Sequence, residues 1–192
     1  MAGGDGARTR GLEGTNRQGA PSAGSGQGRA AQIHAPGGEH RWAQEPVFAQ
    51  GISAPVKGIA DTGYLVAFAN RGDQHHAWAV SLARDIESPL LTCEAVLAET
   101  AFHLGDVSVV LAMVDEGLVT LAFNCADHFR ELGALAKRYG DRHPDLADLC
   151  LIRMSELHPR HPILTVDKKD FRVYRRNKRE VIPLVCPPDR SR

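Results

Sequence analysis

Four carboxylates stand where a binding chemistry would need them. Asp61 follows the short apolar run Val56 to Ala60, Glu99 lies inside AVLAETAFHL, Asp148 inside LADLCLIRM, and Asp167 ends the apolar run Ile163 to Val166. A charge facing the core from an apolar stretch is costly unless something compensates it. Several carboxylates held close together therefore call for a cation, and hard oxygen donors with few histidines among them suit Mg²⁺ or Mn²⁺ rather than zinc. Each acid also has a plainer reading. Asp61 can open the turn at Thr62-Gly63, and Glu99 can lie on a solvated helix face. Asp145, after Pro144, can cap a helix with Asp148 three residues on, and Asp167 and Asp170 can share a charged loop with Lys168 and Lys169. The site rests on the joint order of the set.

The elements that must position these acids follow from periodicity. Val56 to Ala60 reads as a strand, and the pattern from Leu65 through Trp78 and Leu82 to Ile86 reads as a helix after a sharp turn. Leu90 to Thr92 is a brief second strand, Cys93 to Leu104 a helix stopped by Gly105, and Val107 to Glu116 a helix ended by Gly117. Leu118 to Phe123 suits a strand. Ala126 to Tyr139 is amphipathic, with Phe129, Leu132, Leu135 and Ala136 on its apolar side. His143-Pro144-Asp145 opens a helix to about Leu157, Ile163 to Val166 is a buried strand, and Val181 to Val185 is a last one. Strands alternating with helices imply an α/β fold whose central, mostly parallel sheet is covered by helices on both faces, in three layers. Ligands of such sheets sit beyond the carboxyl ends of the strands, which makes Asp61 and Asp167 neighbours.

Composition sets the limits of the folded part. Twelve of the 19 glycines fall in Met1 to Gly51, among Pro, Ser, Gln and Arg, so residues 1–54 are expected to form a disordered tail, real or the product of a misassigned start, and residues 55–187 the domain. No stretch resembles a secretory signal or reaches membrane-spanning length. Cys93, Cys125, Cys150 and Cys186 form no CxxC pair and read as small apolar residues of a reducing compartment, which points to the cytoplasm. With 23 basic and 23 acidic residues the chain has no global field for nucleic acid, so any such contact must come from local clustering.

The strand running into Asp-Thr-Gly (GIADTGYLVAF), the helix VLAET, then DLADLCLIRMSE and LTVDKKDF, in that order, resemble the PIN domain over almost all of residues 56–185. The resemblance implies a PIN-like fold in which Asp61, Glu99, Asp148 and Asp167 are the catalytic, metal-binding carboxylates, with Asp145 and Asp170 as nearby contributors. Thr62 and Thr165 match polar positions beside the acids, where a hydroxyl can orient a carboxylate. Gly63 stands where relatives often carry a small polar residue. The activity implied is cleavage of RNA by water activated on Mg²⁺, with Mn²⁺ as a substitute. Within the family the small size is similar to that of VapC-type toxins, which implies a cognate antitoxin protein and a homodimer. An RNA-processing PIN nuclease without an antitoxin, and a non-catalytic PIN-like RNA-binding module, are the alternatives. A phosphotransferase with a strand-end aspartate would want a second Asp two residues on, where Gly63 stands.

The segment KKDFRVYRRNKR places Lys168, Lys169, Arg172, Arg175 and Arg176 just after the fourth acid, interleaved with Phe171 and Tyr174, which suits phosphate binding by RNA. The plainer reading has Phe171 in the core and the charges solvated. His75 and His76 are adjacent, and neighbouring side chains diverge, so they are not expected to share an ion.

Overall fold

A computed structural model describes residues 57–189 other than Ser88; the expected N-terminal tail and its boundary at Pro55 lie outside the described residues. In chain order the elements are β1 (Ile59–Ala60), α1 (Thr62–Ala69), α2 (His76–Ala83), β2 (Leu90–Thr92), α3 (Glu94–Leu104), α4 (Val107–Asp115) and β3 (Val119–Leu121). There follow α5 (Phe129–Arg138), α6 (Leu146–Leu157), β4 (Ile163–Leu164), α7 (Lys168–Phe171), β5 (Arg175–Arg176), β6 (Glu180–Val181) and β7 (Leu184–Val185). The fold is α/β, a five-stranded parallel sheet flanked by helices, consistent with three layers.

The sheet runs β3-β2-β1-β4-β7, all pairs parallel, with Ile59 opposite both Leu91 and Ile163. From β1 the chain works outward through β2 to β3, then returns to add β4 on the other side of β1. That reversal between β1 and β4 is where open α/β sheets form a crevice beyond their carboxyl ends. Asp61 and Thr165 follow those two strands directly. The central strands are apolar because both of their faces are covered. Ile59, Ala60, Ile163 and Leu164 are fully buried.

Local chemistry ends the helices where expected. Gly105 and Gly117 sit at φ 68° and 73°, and their N–H groups bond back to the carbonyls of Ala101 and Val114. Asp106 caps α4 by accepting from the Ser108 N–H, and Asp145 caps α6 by accepting from the Asp148 N–H. The capping role of Asp145 is thus real, and it is compatible with a place beside the site.

Three expectations need correction. The single helix expected from Leu65 to Ile86 is two, because Asn70 and Asp73 turn their side chains onto the N–H groups of Gly72 and His75 and break the ladder. Phe129 and Ala136 are exposed, since α5 reaches the core only through Leu132 and Leu135. The strand expected from Val181 to Val185 is divided. Val181 pairs with Arg175 in the β5–β6 hairpin, and Pro183, with no N–H to give, separates it from β7. That hairpin turns through Asn177 and Lys178, both at positive φ, as a type I′ turn requires. A lysine there is uncommon, which hides the turn in the sequence.

All four cysteines are free thiols. Cys93 and Cys150 are buried, whereas Cys125 and Cys186 are only partly so, and the Cys125 and Cys150 sulfurs lie 3.4 Å apart. Among the described residues no helix is long and apolar enough to cross a membrane.

Gly63, in the first turn of α1, passes so close to the chain after β4 that a Cβ would lie 2.5 Å from Val166 Cγ2. The absence of a side chain here has a steric cause. Gly63→Ser is expected to lower stability by about 1–3 kcal/mol through overpacking. Urea unfolding measures this, and Val166→Ala in the same chain should recover most of the loss. An unchanged midpoint in the single variant would show that the loop yields freely.

Candidate metal centre

Asp61 is delivered by β1, whose last hydrogen bond runs from the Asp61 N–H to the Leu164 carbonyl. The residue is 8% exposed, and its Oδ2 accepts a 2.6 Å bond from Thr165 Oγ1. The same hydroxyl oxygen accepts from the Asp167 N–H at 2.9 Å. Thr165 therefore couples the ends of β1 and β4, as the strand-end argument requires. Glu99 projects from α3, with Oε2 taking a 2.8 Å bond from Thr62 Oγ1 and Oε1 lying 3.7 Å from His103 Nε2. Asp148 comes from the first turn of α6, and its Oδ2 accepts from the Tyr174 hydroxyl at 3.2 Å.

Electrostatics tie these acids together. Burial pushes the Asp61 carboxyl up to about 6 against the bond from Thr165, and the charge of Glu99 adds to the rise. Asp148 is pushed up to about 7, first by burial and then by Asp145, Asp61 and Asp170. Asp170 is raised too, by its limited burial and by Asp167. Among the described residues, none of the ion pairs involves Asp61, Asp145, Asp148, Asp167 or Asp170. The set is a pool of negative charge outside any ion pair among the described residues, with Arg142 partly offsetting the field at Asp170.

Asp167 sits at the margin of this pool. Its Oδ1 accepts from the N–H groups of Lys169 and Asp170 and so caps α7. It lines an open cleft of about 420 Å³ together with His75, Lys168, Lys169 and Arg172. The charges acting on Asp61 and Asp148 come instead from Glu99, Asp145 and Asp170.

Among the described residues, no three His, Cys, Asp or Glu side chains are already gathered as ligands of one ion. Each of Asp61, Glu99 and Asp148 is held by a neutral hydroxyl at one oxygen, and a cation would have to draw the other oxygens inward. Unpaired charge and all-oxygen donors fit a hard divalent ion such as Mg²⁺ or Mn²⁺.

The basic cluster divides. Lys168, Lys169 and Arg172 face the cleft, with Lys168 2.8 Å from Asp189. Arg175 spends its guanidinium on the carbonyls of Arg172 and Tyr174, and Arg176 bonds Glu180 and the Pro159 carbonyl with its side chain 14% exposed. These two arginines hold the hairpin and do not line the cleft. Phe171 and Tyr174 are core residues. His75 lines the cleft while His76 Nδ1 meets the Ala67 carbonyl, so the pair diverges. Sequence reasoning missed Tyr174 as a partner of Asp148. Its spacing of three from Phe171 was the available signal that both point inward.

Thr165→Val keeps the shape and removes both bonds of the hydroxyl, leaving the Asp61 Oδ2 and the Asp167 N–H without it. An expected loss of about 1–3 kcal/mol in chemical unfolding follows, with Thr165→Ser retaining most of the stability. A Val variant as stable as the parent would mean that water replaces the hydroxyl at no cost.

No protein-family model matches the chain, and no curated protein matches it significantly.

Proposed function

We propose that this protein is a Mg²⁺-dependent endoribonuclease of the PIN type, acting as the toxin of a toxin–antitoxin pair. The observation that supports it most is that Asp61, at the crevice between β1 and β4, interacts electrostatically with both Glu99 of α3 and Asp148 of α6, so that acids from three separate elements share one field.

In this reading Asp61, Glu99 and Asp148 would hold the ion, with the hydroxyls of Thr165, Thr62 and Tyr174 orienting them. A divalent ion held there would supply a water of lowered pKa and offset charge on the phosphate. Asp167, whose Oδ1 caps α7, would offer its Oδ2 as the acceptor for a proton released in the reaction. Asp145 and Asp170 add negative charge around the ion. Lys168, Lys169 and Arg172 hold the RNA backbone in the cleft as sequence-independent phosphate contacts. The antitoxin is a protein whose segment covers the same cleft, and the chain works as a homodimer.

Purified protein incubated with total RNA should cleave it with Mg²⁺ and leave it intact with EDTA. Cleavage that persists in EDTA, or none under either condition after the protein is freed of any antitoxin, would overturn the proposal. An adjacent reading frame whose product co-purifies with the chain and suppresses cleavage would support the toxin role over RNA processing.

A further inference from the structure

We propose that Tyr174 is a positioning residue that sets divalent-ion affinity through Asp148, an inference that rests on the metal-dependent reading above. Tyr174 is 2% exposed, and the partner of its hydroxyl is Asp148 Oδ2 at 3.2 Å. A buried hydroxyl without a partner is expensive, so the phenol and the carboxylate depend on each other.

The geometry around the ring makes it a stiff anchor. Tyr174 packs edge-on against Phe171 at 5.8 Å between centroids and against Tyr139 at 5.0 Å. The backbone just after it is gripped on both groups of Arg175, whose N–H donates to the Tyr139 hydroxyl while that hydroxyl donates to the Arg175 carbonyl. The Arg175 guanidinium then binds the Tyr174 carbonyl at 2.7 Å. On the other side, the Asp148 backbone is fixed by the Asp145 cap. Both ends of the Tyr174–Asp148 bond are thus held by elements that do not themselves need an ion.

The bond has a chemical direction. A phenol donates to the carboxylate without bringing charge, so it fixes Oδ2 and leaves the negative charge available at Oδ1. An arginine in the same place would neutralise the acid and compete with a cation. Thr62 on Glu99 and Thr165 on Asp61 work in the same way. Tyr174 is the one of the three hydroxyls that comes from outside the strand ends, through the segment between α7 and β5. Donors that orient a ligand in this way are typically worth about 10–100-fold in metal affinity.

The test uses the full chain and Mn²⁺ as the probe, with affinity read by calorimetry or by the electron paramagnetic resonance of free Mn²⁺, and melting recorded in EDTA. Tyr174→Phe keeps the ring and should weaken Mn²⁺ binding by about 10–100-fold with little change in EDTA melting. Tyr139→Phe loosens the grip on Arg175 but keeps the Tyr174 hydroxyl, and should lower melting with a clearly smaller loss of Mn²⁺ affinity than Tyr174→Phe. In an Asp148→Asn background, Tyr174→Phe should add no further loss of affinity. Parent-like Mn²⁺ affinity in Tyr174→Phe overturns the inference while the metal reading stands. So does an equal loss in Tyr139→Phe, since a generally loosened hairpin would then explain the effect. A parent protein that takes up no Mn²⁺ overturns the metal reading and this inference with it.

Discussion

Asp61→Asn and Asp148→Asn are each expected to lose at least about 100-fold of Mg²⁺-dependent RNA cleavage while folding as the parent does. The loss follows from the donor set. Each substitution offers one neutral amide oxygen where the carboxylate offered charge and a second oxygen. The fold survives because the tertiary bonds can be kept. In Asp61→Asn the amide oxygen can still accept from Thr165 Oγ1, and in Asp148→Asn it can still accept from the Tyr174 hydroxyl. Without divalent ions both variants should be at least as stable as the parent, since each removes a charge that burial and its acidic neighbours disfavour. A fluorogenic RNA substrate reads the activity, and far-ultraviolet circular dichroism with melting reads the fold. Parent-level cleavage in both variants would eliminate the mechanism. Collapse of both folds would show that the acids serve structure first.

In EDTA, the melting temperature should rise as the pH is lowered from about 8 to about 5, by an amount on the order of 10 °C. The sign comes from linkage. Asp61 ionises near 6 and Asp148 near 7 in the folded chain, against an ordinary 3.8. Between 3.8 and those values the folded state holds more protons than the unfolded one, so stability falls as pH rises through that window. Above the upper value the penalty is complete, at roughly 3 kcal/mol for the buried Asp61. His161, lowered chiefly by burial, acts in the opposite sense below its ordinary 6.5 and trims the rise at the acid end. Mg²⁺ should flatten the trend. At pH about 8 an ion at 100 times its dissociation constant adds about 2.7 kcal/mol, and near pH 5, with the acids protonated, it should add little. Scanning calorimetry across pH, with Mg²⁺ and with EDTA, checks both halves. A flat EDTA profile would mean that the carboxylates are better solvated than their packing implies.

Much of the candidate site was legible before the fold was known. A strand that ends in Asp61, a Glu inside AVLAETAFHL and an Asp inside LADLCLIRM are local statements about burial, and burial is what periodicity records. Alternation of apolar runs with helical patterns likewise announced a parallel sheet. The double break at Asn70 and Asp73 was less visible, because side-chain competition for backbone N–H groups leaves the apolar spacing on either side intact. The β5–β6 hairpin escaped for a related reason. Its turn residues are Asn177 and Lys178 rather than Asn-Gly, and its strands are charged.

Residue types along the chain determined that Asp61 would be buried and at which end of the sheet Asp61 and Asp167 would emerge, because both facts depend on neighbours a few positions away. Glu99 and Asp148, set in apolar stretches, are only half-buried. Only the tertiary structure decided their company. Thr165 meets Asp61 across 104 residues, Thr62 meets Glu99 across 37, and Tyr174 meets Asp148 across 26. It also divided the basic segment, turning Arg175 and Arg176 onto the hairpin and leaving Lys168, Lys169 and Arg172 on the cleft. Hydrogen bonds of a few ångströms are set by how strands and helices dock, and local pattern carries no record of that docking.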